Sequence, residues 1–350
     1  MSFNPQDNDI NQVNSFFKNI PKVEIHNHLE GSITPFTLHE LAKKNFSGSK
    51  FAQSLDECEK IYQFTNFQGF LSSFAEVNKL ITSVSDLDII IKNNVELMKT
   101  ENYKYIEHFL SVDTWLNKGM DLSELLDKVK ENIKRHSSKN FQFGGIIIDF
   151  VRNYGPQNAS KIMLDLGEII EDYRDVVLGI SIGGDEVNFP AQLFTEVFNQ
   201  ARKLNLKTTA HSGEADGSDS VWQTILSLKT NRIGHGLRCH ESTDLLKHLR
   251  VTQTPLEMCP TSNIKTGVLD KIENHPIRDY YDQGINITIN TDDYGFFDSS
   301  LSSEFEICSK VFHFSTDELE ELVLNAAKSC FLPAIEKHEL INKLKLSFEY

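Results

Sequence analysis

Residues 22–32 read KVEIHNHLEGS: a short β-branched apolar run that ends in two histidines, a carboxylate and a glycine. His26 and His28 are two apart, so on a strand both imidazoles face the same side. Whether that side is a barrel interior depends on what the rest of the chain repeats. Similar apolar runs recur at 105–111, 143–151, 176–182, 207–211, 232–235, 254–259 and 286–290, making eight with 23–29. Amphipathic stretches such as 159–173, 190–204 and 218–228 lie between them, with apolar residues three and four apart. Eight strands alternating with helices predict an α/β fold, the (β/α)8 TIM barrel, as a single domain over 1–350. The longer unit at about 35–102 holds Phe36, Phe46, Phe51, Phe64, Phe67, Phe70 and Phe74. It is expected as a helical insertion or lid after the first strand, and 316–346 as a C-terminal helical tail.

A parallel barrel carries its chemistry at the C-terminal ends of its strands. Here those ends are polar. The first run ends in His26, His28 and Glu30, the fifth in His211-Ser212-Gly213-Glu214, the sixth in His235-Gly236, and the eighth in Thr291-Asp292-Asp293. Three imidazoles and a carboxylate converging from different strands suit a divalent cation such as zinc, which takes N and O ligands. The H-x-H pair alone would not establish this, since buried histidines often only satisfy backbone groups. Gly183-Gly184 fits a tight turn after the fourth strand; Asp185 and Glu186 belong either to the site mouth or, as acidic loop residues more often do, to solvent. No phosphate-binding P-loop, H-E-x-x-H, G-x-S-x-G or P-C-x-x-C pattern is present.

With 50 acidic against 35 basic residues the formal charge is −15, a field that repels polyanions, so nucleic acid is not an expected partner. The five cysteines are scattered without a C-x-x-C pair, as in a reducing compartment. No apolar stretch reaches 18 residues, and the first twenty residues lack a basic segment followed by an apolar one. A cytoplasmic protein with no membrane partner is expected.

The ordered motifs PKVEIHNHLEGS, AHSGE, NRIGHG, CPTSN and NTDD resemble those of the adenosine deaminase family of the amidohydrolase superfamily, over about residues 20–345. GGDEVNFPAQLFTEVFNQAR and GSDSVWQTILSLKTNRIGHG bring it near the bacterial-type adenosine deaminases. The resemblance implies one zinc ion per chain, held by His26, His28, His211 and Asp292. It implies that His235 and Asp293 deprotonate and orient the attacking water, and that Glu214 protonates ring nitrogen 1 of the purine. Gly184 would offer its N–H to ring nitrogen 3, and His28, Glu30 and Asp293 would also touch substrate. The implied partner is a small-molecule purine nucleoside, with adenosine and 2′-deoxyadenosine deaminated to inosine-type products and ammonia.

Two positions depart from the pattern. Glu30 stands where many adenosine deaminases have Asp facing the ribose hydroxyls, and Ser212 replaces Ala in H-A-G-E. The H-L-E-G spelling leans toward relatives acting on other 6-aminopurines: adenine, N6-methyl-AMP or aminodeoxyfutalosine. A phosphate-bearing substrate would require a cation near the sugar end, for which Arg152 and Lys265 are the strand-end candidates. A catalytically silent nucleoside-binding relative should have lost an essential residue, and none of the seven is missing. Oligomeric state has no sequence signature here.

Overall fold

Apolar β-branched runs buried on both faces form parallel strands whose edges must be paired all round. The computed structural model describes residues 16–348, so the N-terminal reading over residues 1–15 lies outside the described residues. The strands are β1 (Lys22–Glu24), β2 (Tyr103–Leu110), β3 (Gln142–Val151), β4 (Val177–Gly183), β5 (Lys207–Thr208), β6 (His211–Ser212), β7 (Ile233–His235), β8 (Leu256–Met258) and β9 (Ile287–Ile289). All pair in parallel, in the orders β1-β2-β3-β4-β5 and β6-β7-β8-β9.

The predicted fifth strand is thus two short pieces: β5 pairs with β4, β6 with β7. Between them Thr209 N donates to Ile180 O and Ala210 O accepts from Gly234 N, so they occupy one barrel position. At the other seam Asp292 N donates to His26 O at 3.1 Å and His28 N to Asp292 O at 3.0 Å. The backbone beyond β9 is thereby joined to the backbone beyond β1, and eight strand positions close the TIM barrel.

Helices coat the barrel where the 3.6-residue period places apolar side chains inward. Leu122–His136 is representative. Asp121 caps it by accepting from Ser123 N and Glu124 N, Leu122, Leu125, Leu126 and Val129 are buried, and Lys134, Arg135 and His136 occupy the last turn against the helix dipole. The stretch read as a helix over 218–228 is α-helical only over Ser218–Gln223 and widens to a π-turn over Thr224–Leu228.

Between β1 and β2 lie the helices Pro35–Asn45, Lys50–Gln53, Leu55–Ile61, Phe67–Asn78 and Leu87–Thr100. The last packs on Leu122–His136 and β2, as an outer barrel helix does. The Phe-rich helix instead crosses the strand ends: Phe70 packs 5.2 Å from Phe297 and Phe74 5.4 Å from Phe296, on the short helix Tyr294–Phe297 that follows Asp293. The stretch expected as one tail is two helices. Thr316–Ser329, capped by Ser315 and Glu318, buries Leu319, Leu322 and Val323 against β9 and β1 and so completes the outer ring; Ala334–Phe348 follows it. Among the described residues, no helix is long and apolar enough to cross a membrane.

Candidate metal centre and active site

The chain beyond β1 stays extended enough to bridge both neighbours, Asn27 to Asp292 and His28 to Phe109. Alternation sends His26 and His28 inward and Asn27 outward, where its Nδ2 donates to Thr291 Oγ1 and Asp292 O, each at 3.1 Å. His26 Nδ1 lies 2.7 Å from Glu257 Oε2, and His211 Nδ1 3.0 Å from Ile182 O. A carboxylate or carbonyl oxygen only accepts, so each Nδ1 carries a proton and each ring, when neutral, turns an Nε2 lone pair into the site. Glu257 is itself fixed by Thr209 Oγ1 and by a close ion pair to the buried Arg232.

The Nε2 atoms converge on one another and on Asp292. His28 Nε2 stands 3.0 Å from His211 Nε2, and Asp292 Oδ1 is 3.3 Å from His28 Nε2 and 3.5 Å from His26 Nε2. His26 Nε2 and Asp292 Oδ1 are buried without a hydrogen-bond partner, whereas Asp292 Oδ2 accepts from Ser262 Oγ at 2.6 Å. Buried acceptors turned toward one another are costly unless a cation stands among them. The donor set therefore fits a divalent metal. Donor atoms of His26, His211, His235 and Asp292 all lie within 4.8 Å of one another, and His28, Asp292 and Asp293 form an overlapping group. All four expected ligands are brought together, with His235 equally near.

Asp292 and His235 have φ of 63° and 58°, a left-handed backbone that non-glycine residues seldom adopt and that clusters at functional sites. His235 Nε2 faces Glu214 Oε2 at 3.5 Å and Asp292 Oδ2 at 4.0 Å. Behind it runs a polar chain: Ile277 N donates to His275 Nδ1, His275 Nε2 to Asn263 Oδ1, and Asn263 Nδ2 to His235 Nδ1 at 3.4 Å. This order leaves the proton of His235 on Nε2, pointing into the site. Burial depresses the His235 pKa to about 3, so the ring is neutral.

Burial, reinforced by the charges of Asp292 and Glu186, holds the Glu214 carboxyl well above its ordinary range. Asp293 is likewise raised, by burial and then by adjacent Asp292. Its approach demands Gly31, where an added Cβ would lie 1.9 Å from Asp293 Oδ1.

These groups line a cavity of about 360 Å³, within the range of small-molecule sites, with His28, Gly184, Glu214 and Asp293 on the polar side and Phe67, Phe70, Leu71 and Phe74 opposite. Gly184 has φ 94°, which suits glycine. Among the described residues no Lys or Arg lines this cavity. Arg152 is fully buried and committed to carbonyls, Nη1 to Phe189 O at 2.6 Å and Nη2 to His211 O at 2.7 Å; Lys265 is exposed outside it. Glu30 does not reach the cavity surface. Its Oε1 accepts from Trp115 Nε1 at 2.7 Å and Ser111 N at 3.0 Å, one layer behind.

Sequence reasoning missed Glu257, Ser262 and Asn263 as supports, although CPTSN contained two of them, and missed Asp149, which lines the cavity floor. Glu186, a loop acid that the sequence allows at the site mouth or in solvent, is 3% exposed and accepts from five donors.

The family model described as "Adenosine deaminase" matches residues 21–346. The adenine deaminase of Crocosphaera subtropica is 30% identical over 326 residues, covering 93% of this chain and 98% of that protein. The adenosine deaminase of Clostridium botulinum is 29% identical, covering 94% and 98%. The Arabidopsis N6-mAMP deaminase structure superposes with a TM-score of 0.83 at 25% identity, covering 95% and 99%. Six further curated relatives, at 27–29% identity, are named adenine deaminases.

Proposed function

The chain belongs to the adenosine deaminase family, and from that premise we propose that it is a metal-dependent hydrolytic deaminase of a 6-aminopurine whose preferred substrate is the free base adenine. The observation that carries the substrate choice is Glu30. The family's carboxylate at this position faces the ribose hydroxyls, whereas here it is withdrawn onto Trp115 and Ser111 and leaves the cavity without that sugar partner. The seven relatives named adenine deaminase support the same choice over the adenosine reading that the motifs first suggested. Among the described residues no cation lines the cavity, which argues against a nucleotide, whose phosphate would be desolvated without a partner.

His26, His28, His211 and Asp292 would hold a zinc ion, which would supply Lewis-acid activation of water at neutral pH. The chain's own residues do the rest. Asp293, ionised once a divalent cation stands beside it, accepts the water's proton, and the Nε2–H of His235 holds the attacking oxygen on carbon 6. Glu214, protonated because it is buried beside carboxylates, donates to ring nitrogen 1 as the ring loses aromaticity. Gly184 N–H meets ring nitrogen 3. The Phe67–Phe74 face covers the purine and excludes bulk water. The amino group takes the proton held on Asp293 and leaves as ammonia, the hydroxyl on carbon 6 returns a proton to Glu214, and the 6-oxo purine remains.

A kcat/KM comparison on adenine, adenosine, 2′-deoxyadenosine, N6-methyl-AMP and aminodeoxyfutalosine tests the proposal. Adenine should lead. Adenosine in front would restore the nucleoside reading.

A further inference from the structure

Glu186 lies on the loop after β4, two residues beyond Gly184, with its carboxylate turned inward. Oε1 accepts from Gly213 N at 2.6 Å and Ser220 Oγ at 2.5 Å; Oε2 accepts from Glu214 N at 3.1 Å, Ala215 N at 2.9 Å and Asp216 N at 3.1 Å. Four consecutive backbone N–H groups thus converge on one side chain, an arrangement that ordinarily attracts an anion. The turn that aims them depends on Gly213, with φ 67° and no room for a Cβ, which would lie 2.5 Å from Val221 Cγ2.

The contact extends on both sides. Ser220 Oγ lies 3.2 Å from Ser212 Oγ, which accepts from Thr224 Oγ1 at 3.0 Å. The hydroxyl that replaces the family's Ala is therefore part of this chain of bonds. On the other side Arg152 ties Phe189 O, three residues beyond Glu186, to His211 O, three residues before Glu214. The two loops are clamped at both ends, and between the clamps the Glu214 side chain projects into the cavity.

We propose that Glu186 is a positioning residue for the acid: its carboxylate sets the backbone of 213–216, and with it the direction in which Glu214 points at the purine. The proposal rests on reading Glu214 as the proton donor. A glutamine amide offers one acceptor oxygen and turns two N–H groups toward N–H donors, so Glu186→Gln cannot keep the five bonds.

The test uses the zinc-loaded full chain as wild type, Glu186→Gln, Glu214→Gln and the double variant. Zinc content, kcat and KM on adenine, and amide hydrogen exchange over 213–216 are measured. Glu186→Gln should keep its zinc and nearly its KM, lose kcat by about 10- to 100-fold, and exchange the 213–216 amides faster. In the Glu214→Gln background it should cost nothing further, because both act through one group. Ser220→Ala removes a single donor and guards against a misfolded Glu186 variant; its kcat should fall by roughly fivefold. An equal fold-loss with and without Glu214 would overturn the proposal, and so would unchanged exchange at 213–216 in both variants, a result that involves no substrate. Wild-type turnover by Glu214→Gln would instead remove the proton-donor reading itself.

Discussion

His28 Nε2 and His211 Nε2 face each other at 3.0 Å across the barrel mouth. The bond from His211 Nδ1 to Ile182 O leaves the Nε2 of that ring without a proton, and Asp292 Oδ1 stands 3.3 Å from the His28 nitrogen. A divalent cation at this point would take both imidazole nitrogens and the Asp292 oxygen as ligands. Metal binding should therefore be coupled to folding. Chelation should lower Tm by several degrees, and His211→Ala should both abolish stoichiometric zinc binding and remove that chelator-sensitive part of Tm. Equal Tm values with and without metal would refute the coupling.

On the proposed mechanism Glu214 donates a proton and does not ligate. Glu214→Gln should retain zinc and lose about 10²- to 10⁴-fold in kcat, the range for a general acid. Zinc analysis and steady-state kinetics on one preparation decide this.

Gly31→Ala tests the position of Asp293. A Cβ 1.9 Å from Asp293 Oδ1 must push the carboxylate aside. A displacement near 1 Å should cost on the order of 100-fold in kcat, with zinc retained. Unaltered kinetics would mean that Asp293 does not need this place.

Glu30→Asp shortens the side chain by one methylene, so it cannot reach both Ser111 N and Trp115 Nε1. The buried indole N–H then lacks an acceptor, at a cost of roughly 1–3 kcal/mol in stability. Freed toward the cavity, the carboxylate should lower the adenine-to-adenosine kcat/KM ratio by about tenfold. Denaturant melts and paired assays measure the two effects separately.

Glu304 gives a pH signature away from the catalytic groups. It accepts from Thr261, whose N–H lies 3.3 Å from Oε2, and burial pushes its pKa up to about 8. The unfolded carboxyl titrates near ~4.3. Between those values the folded state binds the extra proton, so this group's contribution to stability is full below about 4.3 and is lost as pH rises through about 8. Glu304→Gln should raise Tm at pH 8 more than at pH 5. A pH-independent difference between the variant and wild type would place the titration elsewhere.

Much of this was legible in the sequence because barrel chemistry follows strand ends. The eight apolar runs marked the barrel positions, and the polar residues terminating four of them marked His26, His28, His211, Glu214, His235, Asp292 and Asp293, which the fold brings to one mouth. What was not legible depends on pairing partners. Glu257 and Glu186 look like ordinary acids until Arg232 and His26, or the amides of 213–216, are seen to converge on them. Arg152 stood with Lys265 as a candidate partner for a phosphate, should the substrate carry one, because its commitment to Phe189 O and His211 O involves residues 37 and 59 positions away. The helix Thr316–Ser329 read as tail because nothing local reveals that its apolar face covers β1 and β9.

The most direct test of metal-dependent 6-aminopurine deamination is ammonia release from adenine by one preparation before chelation, after it, and after zinc is returned. Turnover that disappears with the metal and comes back with zinc is the expected result. Ammonia release at an unchanged rate from metal-free protein, or none from the zinc-loaded protein with any 6-aminopurine, would contradict the account.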